Sequence, residues 1–123
     1  MAARAADSDW SVEPSAEGDS LVLTFVGPTP SSAFSEFLAA LTEQMPPTPV
    51  TLVFDLRRLA GYNPETKEPM KAWLVRHKPA IREVVVVVPE AETMLKMVTA
   101  AIGLAVGVRI TIRERQLGAD LFA

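Results

Sequence analysis

Cysteine is missing from all 123 residues, and histidine occurs once, at His77. Those two gaps exclude disulfides, thiol nucleophiles, thiolate metal sites and multi-histidine metal centres. Positive charge is in deficit: 12 Lys and Arg stand against 15 Asp and Glu, for a net charge of -3 and a pI of about 5.1. Broad binding to nucleic acid or an anionic lipid surface needs a basic field, so nucleic acid is not an expected partner. No apolar run is long enough to cross a bilayer. The longest, Met97 to Ile112, is interrupted by Thr99, Gly103, Gly107 and Arg109, so membrane insertion is not expected. The opening residues Met1 to Asp7 carry no apolar segment of the kind that directs secretion, and a cytoplasmic location is expected. There is no phosphate-cradling glycine loop and no nucleophile spaced to meet a base. Gly103-x-x-x-Gly107 is too common near helix ends to count as a site. Neither an enzymatic activity nor a cofactor is therefore expected.

Hydrophobic residues make up 49% of the chain and charged residues 22%. That is enough apolar material for one ordered domain, placed at residues 9–123 behind a flexible start at 1–8. Trp10 to Glu13 alternates, Ser15 to Asp19 is a turn cluster, and Leu21 to Val26 is apolar and β-branched. Together they predict an antiparallel hairpin. After Gly27-Pro28-Thr29-Pro30, Ser32 is a candidate N-cap. Phe34, Phe37, Leu38 and Leu41 then recur at helical spacing, extended by Met45 and stopped by Pro46-Pro47.

Pro49 to Leu56 reads as a strand buried on both faces, followed by a loop from Arg57 to Thr66. A second helix starting near Thr66 keeps Pro69 in its first turn and puts Met70, Trp73, Leu74 and His77 on one face. Ile81 to Val88 holds five consecutive valines, a second central strand. A third helix runs from Glu92 to Val106, with Gly107 as its stop. A half-exposed last strand begins at Val108, and the tail from Gln116 can dock through Leu117, Leu121 and Phe122. The order β-β-α-β-α-β-α-β predicts an α/β domain. Its sheet is mixed but mostly parallel, of four to five strands with an antiparallel edge, packed with three to four helices joined by right-handed crossovers.

Over roughly Trp10 to Arg115, this order resembles the STAS family, the fold of bacterial anti-sigma factor antagonists. The segment Val50-Thr-Leu-Val-Phe-Asp55-Leu-Arg-Arg-Leu59 is similar to that family's central strand, which ends in an aspartate and a short apolar-anchored loop. The long loop before the second helix and the valine-rich next strand also fit. The nearest likeness is to divergent, STAS-like bacterial members. The resemblance implies a non-enzymatic regulatory module that docks a protein on the loop and helix after the central strand. One departure stands out. Regulatory antagonists carry an Asp-Ser-Ser/Thr-Gly type motif with a phosphorylated serine in that loop. Here the stretch is Tyr62-Asn63-Pro64-Glu65-Thr66, without serine, and Thr66 is the hydroxyl left as a candidate phosphosite.

Each candidate has a plainer alternative. Asp55 can hold a ligand beyond the strand end or order the following loop through backbone amides. Arg57, Arg58, Tyr62 and Asn63 can form a docking loop, two arginines gripping an anion beside a tyrosine anchor, or a solvated loop. Thr66 can carry phosphate at a helix start or act as its cap. Lys67, Lys71, Arg76, Lys78 and Arg82 read as a solvated basic face and His77 as structural. The third helix is apolar nearly all round between Met97 and Val106. Such a helix is either covered on every side or presents an apolar stripe, with Met94 and Met97 suited to an adaptable interface. The partner expected is a protein or a second copy of the chain in a homodimer. The alternatives are a small-molecule or lipid carrier with a pocket between sheet and helices, and a structural homo-oligomer.

Overall fold

The computed structural model describes residues 3–4, 10–27, 30–60, 63–90, 92–116 and 118. The predicted hairpin forms from β2 (Trp10–Pro14) and β3 (Ser20–Gly27). They pair antiparallel, with Trp10 opposite Phe25 and Val12 opposite Leu23. The turn closes through the Ser15 amide donating to the Ser20 carbonyl at 2.8 Å, and Gly18 takes the positive φ of 78° that its position requires. A two-residue strand, β1 (Ala3–Arg4), adds antiparallel to β2. The sheet is therefore six strands wide in the order β1-β2-β3-β4-β5-β6, one more than the sequence led us to expect.

From β3 onward the sheet is parallel. It continues through β4 (Val50–Leu59), β5 (Ile81–Val88) and β6 (Ile110–Glu114). Between successive strands come α1 (Ser31–Gln44), α2 (Lys67–His77) and α3 (Thr93–Val106). With the strands in sequential order, right-handed crossovers carry all three helices to the same face. The packing agrees: buried residues of all three helices share one core with Leu52, Phe54, Val84, Val86 and Val88. Val53, Val85 and Val87 form a separate cluster on the other face. Burial on both faces is why β4 and β5 read as continuous apolar runs instead of alternating ones.

Phe37 is the centre of the core and is fully buried. Its ring lies 4.7 Å from that of Phe25, 5.5 Å from Phe34, 6.0 Å from Trp10 and 6.5 Å from Phe54. These are offset or edge-on contacts, the arrangements that aromatic quadrupoles favour. Trp73 also points inward, its indole N–H donating to Thr42 Oγ1 at 2.9 Å.

Boundaries differ in instructive ways. α1 starts two residues early, with Pro30 in the capping position in place of Ser32 and no side-chain cap. The Pro30 carbonyl accepts the Phe34 amide at 2.9 Å, so Ser32 lies inside the helix. β4 runs three residues past Leu56. A bulge between Thr24 and Val26 resets the ladder so that Arg58 pairs with Val26 and Leu59 with Gly27. Arg57 and Arg58 therefore belong to a strand and not to the predicted loop. α3 begins at the Glu92 cap and ends at Gly107 (φ 77°), as expected.

Candidate functional site

Asp55 stands at the carboxyl end of β4, in register with Val87 of the far-face cluster. It is 9% exposed. Arg57 grips it with both arms of the guanidinium: Nε donates to Oδ1 at 2.9 Å and Nη2 to Oδ2 at 3.1 Å. The Arg57 backbone amide donates to the same Oδ1 at 3.2 Å. Nη1 reaches across to the Gln116 carbonyl at 2.9 Å. The hydrogen bond to Asp55 and the carboxylate's charge hold Arg57 above the ordinary guanidinium pKa, with burial pulling the other way. Asp55 thus does what its plainer reading required, ordering the chain that follows. Arg58 is exposed.

Asn63 opens the turn into α2. Its side-chain carbonyl accepts the Glu65 amide at 3.0 Å, and its backbone carbonyl accepts both the Thr66 amide at 3.0 Å and the Thr66 hydroxyl at 2.7 Å. This builds a 3-10 turn, Pro64–Thr66, ahead of α2. Pro64 begins this tight turn, and Pro69 stays in the first α-helical turn, as a start near Thr66 requires. The Thr66 hydroxyl points back into this turn and makes no cap bond to α2. Tyr62 lies outside the described residues, as do Leu117, Leu121 and Phe122.

The basic stretch is distributed over helix ends and strand edges. Lys71 pairs with Glu68 at 3.4 Å, Lys78 donates to the Val106 carbonyl at 3.4 Å, and Arg82 donates to the Pro49 carbonyl at 3.3 Å. His77 stacks on Trp73, with ring centroids 4.1 Å apart and Nδ1 3.0 Å from the Trp73 carbonyl oxygen. Among the described residues, no three His, Asp or Glu side chains converge as a metal site would need, and no helix is long and apolar enough to cross a membrane.

α3 presents two different faces. Leu95, Thr99 and Val106 are buried inward. Outward, Met94 is 60% exposed, Met97 67% and Leu104 88%. With exposed Ala101 between them, these positions recur at steps of three, four and three residues. That is the seam spacing by which one helix receives another. Lys96 carries the helix's one charge and pairs with Glu114 of β6.

Beneath α2 and α3 the core is open. A cavity of about 120 Å³ lies between these helices and the sheet. Phe54, Leu56, Val86, Leu95 and Ile102 are among its walls. Asn63, Thr66 and Lys67, in the turn into α2 and at its first residue, and Thr99 of α3 are also among the residues that line it.

The sequence-predicted residues do not form one patch. Arg57 sits on the sheet face away from the helices. Asn63 and Thr66 shape the cavity's edge, and Met94 and Met97 lie on the outer side of the helix that covers it. Leu104 and Thr99 were not named as site residues from the sequence, and Lys67 was read there as part of a solvated basic face. The spacing of Met94, Met97, Ala101 and Leu104 was a signal that could have found the first. Nothing in the linear pattern marks the other two as neighbours.

No protein-family model and no curated protein matches the chain. Among solved structures, it is similar to an uncharacterized protein from the DUF3478 family with a SpoIIAA-like fold, from Shewanella loihica PV-4. The TM-score is 0.65 at 12% sequence identity, covering 86% of this chain and 85% of that one. The parallel β3-to-β6 order, the three helices on one face and this match together establish that the chain has the SpoIIAA-like, or STAS, fold.

Proposed function

We propose that the protein is a non-enzymatic regulatory binding module that docks a protein partner through the outer face of α3. The observation that carries this reading is the exposed seam of Met94, Met97 and Leu104 on a helix whose other side is packed. Burying a Met or Leu side chain is worth about 1.5–3 kcal/mol. Three such anchors give roughly 4–9 kcal/mol gross, against an association cost of about 4–15 kcal/mol. The seam therefore suits a regulated, reversible contact supplemented by neighbouring groups. Thr66 is a weaker candidate for a phospho-switch than its hydroxyl alone suggests, because a phosphate there would displace its 2.7 Å bond to Asn63.

The test combines Met97→Glu with Leu104→Glu. Because both positions are exposed, folding stability should change by no more than about 0.5 kcal/mol. Sedimentation over a range of concentrations reports self-association, and capture from the native host lysate reports a foreign partner. Loss of self-association or of a specific captured protein in the double variant supports docking on α3. Unchanged behaviour in both assays sinks it. A second reading, carriage of a small apolar molecule, is favoured by the cavity beneath α2 and α3.

A further inference from the structure

We infer that this cavity takes a small amphipathic carboxylate, with its apolar part enclosed between the sheet, α2 and α3 and its carboxylate on the ammonium of Lys67. The inference rests on the carrier reading and names the class of ligand.

Three observations lead to it. The first is size. An apolar cavity of about 150 Å³ admits benzene, and the space here is about 120 Å³. It suits an alkyl tail on the order of six carbons, or one aromatic ring. The second is an unpartnered polar group in the wall. Thr99 is 8% exposed, borders the cavity, and its hydroxyl has no hydrogen-bond partner among the described residues. A hydroxyl at a cavity wall with no protein partner is open to a bond from whatever occupies the cavity. Thr42, on the other side of the core, shows the alternative: its hydroxyl donates to the Leu38 carbonyl one helical turn back. Thr99 makes no such bond.

The third observation is charge. Lys67 is at the cavity's edge, half-exposed, with no carboxylate or carbonyl bonded to its ammonium among the described residues. Other lysines of this chain are engaged: Lys71 with Glu68, Lys78 with the end of α3, Lys96 with Glu114. Lys67 is also the first residue of α2, where the helix dipole adds to the attraction for an anion. An apolar enclosure with one unpaired cation at its edge selects molecules with a greasy body and a single negative end. A neutral hydrocarbon would leave Lys67 unused, and a dianion would bring more charge than this edge compensates.

The experiment measures binding of hexanoate and of 1-hexanol, equal in chain length and different in charge, by ligand-observed NMR with competition. It uses the full chain and its Lys67→Gln and Val98→Phe variants. Lys67→Gln alters a half-exposed side chain and should fold normally. Val98→Phe fills the cavity from α3. The inference expects saturable hexanoate binding that weakens about 10-fold or more in Lys67→Gln, as loss of a charge-assisted bond implies. Hexanol binding should be unchanged in Lys67→Gln, and both probes should be lost in Val98→Phe. If hexanol binds as well as hexanoate and Lys67→Gln changes neither, the carboxylate assignment is overturned and the carrier reading stands. If neither probe binds the wild type saturably, both are overturned.

Discussion

Replacing Arg57 with methionine keeps the aliphatic stem and removes the guanidinium from Asp55. The two side chains are 9% and 12% exposed, joined by two side-chain bonds at 2.9 and 3.1 Å. At an effective dielectric of about 20, opposite charges about 4 Å apart attract by about 4 kcal/mol before desolvation is charged against them. Breaking a deeply buried pair from one side costs about 3–5 kcal/mol. Here the pair lies just under the surface, and Asp55 would still accept the Arg57 backbone amide while water reaches its free oxygens. We therefore expect Arg57→Met to destabilise by about 2 kcal/mol, or roughly 6–10 °C in Tm for a domain of this size. Asp55→Asn should cost about 1–2 kcal/mol, since the amide oxygen still accepts. The double variant should cost about 2 kcal/mol, well short of the sum, a coupling of about 1–2 kcal/mol. Urea denaturation with an unchanged m-value is the assay. Purely additive effects, or a loss under about 0.5 kcal/mol in Arg57→Met, would refute the view that this arginine is a clamp and return it to the list of docking residues. The pH dependence has a definite sign. Arg57 has its pKa raised in the folded state. Its contribution is therefore complete below the ordinary guanidinium value of the unfolded chain and is lost only as pH rises through the higher folded value. Its charge state should add no slope to stability between about pH 6 and 9.

Phe37→Ala removes the ring that four other aromatic side chains surround, and should cost about 3–5 kcal/mol, a large share of a typical domain's 5–15 kcal/mol. A loss under about 2 kcal/mol in thermal or urea unfolding would mean the core collapses around the site more readily than its packing implies. Gly107→Ala forces a side chain into φ 77° and should destabilise by about 1–2 kcal/mol. Gly103→Ala should be nearly neutral by the same assay. Its new methyl crowds the Ile110 side chain, 2.9 Å from Cδ1, 3.3 Å from Cγ1 and 3.6 Å from Cβ, and alanine's better helix propensity offsets that crowding by about 1 kcal/mol.

The element order was legible in the chain because each segment's period agrees with its environment. Phe34, Phe37 and Leu41 fall on one helical face, and the valines of β5 fill both faces of a central strand. That order implied a mostly parallel sheet with an antiparallel edge, and its resemblance to the STAS family pointed to the arrangement found. Glu92 and Gly107 bracketed α3 as read, because capping is local chemistry. Tertiary structure decided what depends on residues far apart in sequence. The β3–β4 bulge drew Arg57 and Arg58 into a strand and turned an apparent docking pair into one clamp on Asp55 and one exposed charge. Sequence could show that α3 was too apolar to be wholly solvated, yet only packing could say which side stayed open. The cavity belongs to the same class of fact. Lys67 and Thr99 stand 32 positions apart, and only the folding of α2 and α3 over one sheet face brings them to the edge and wall of a single space.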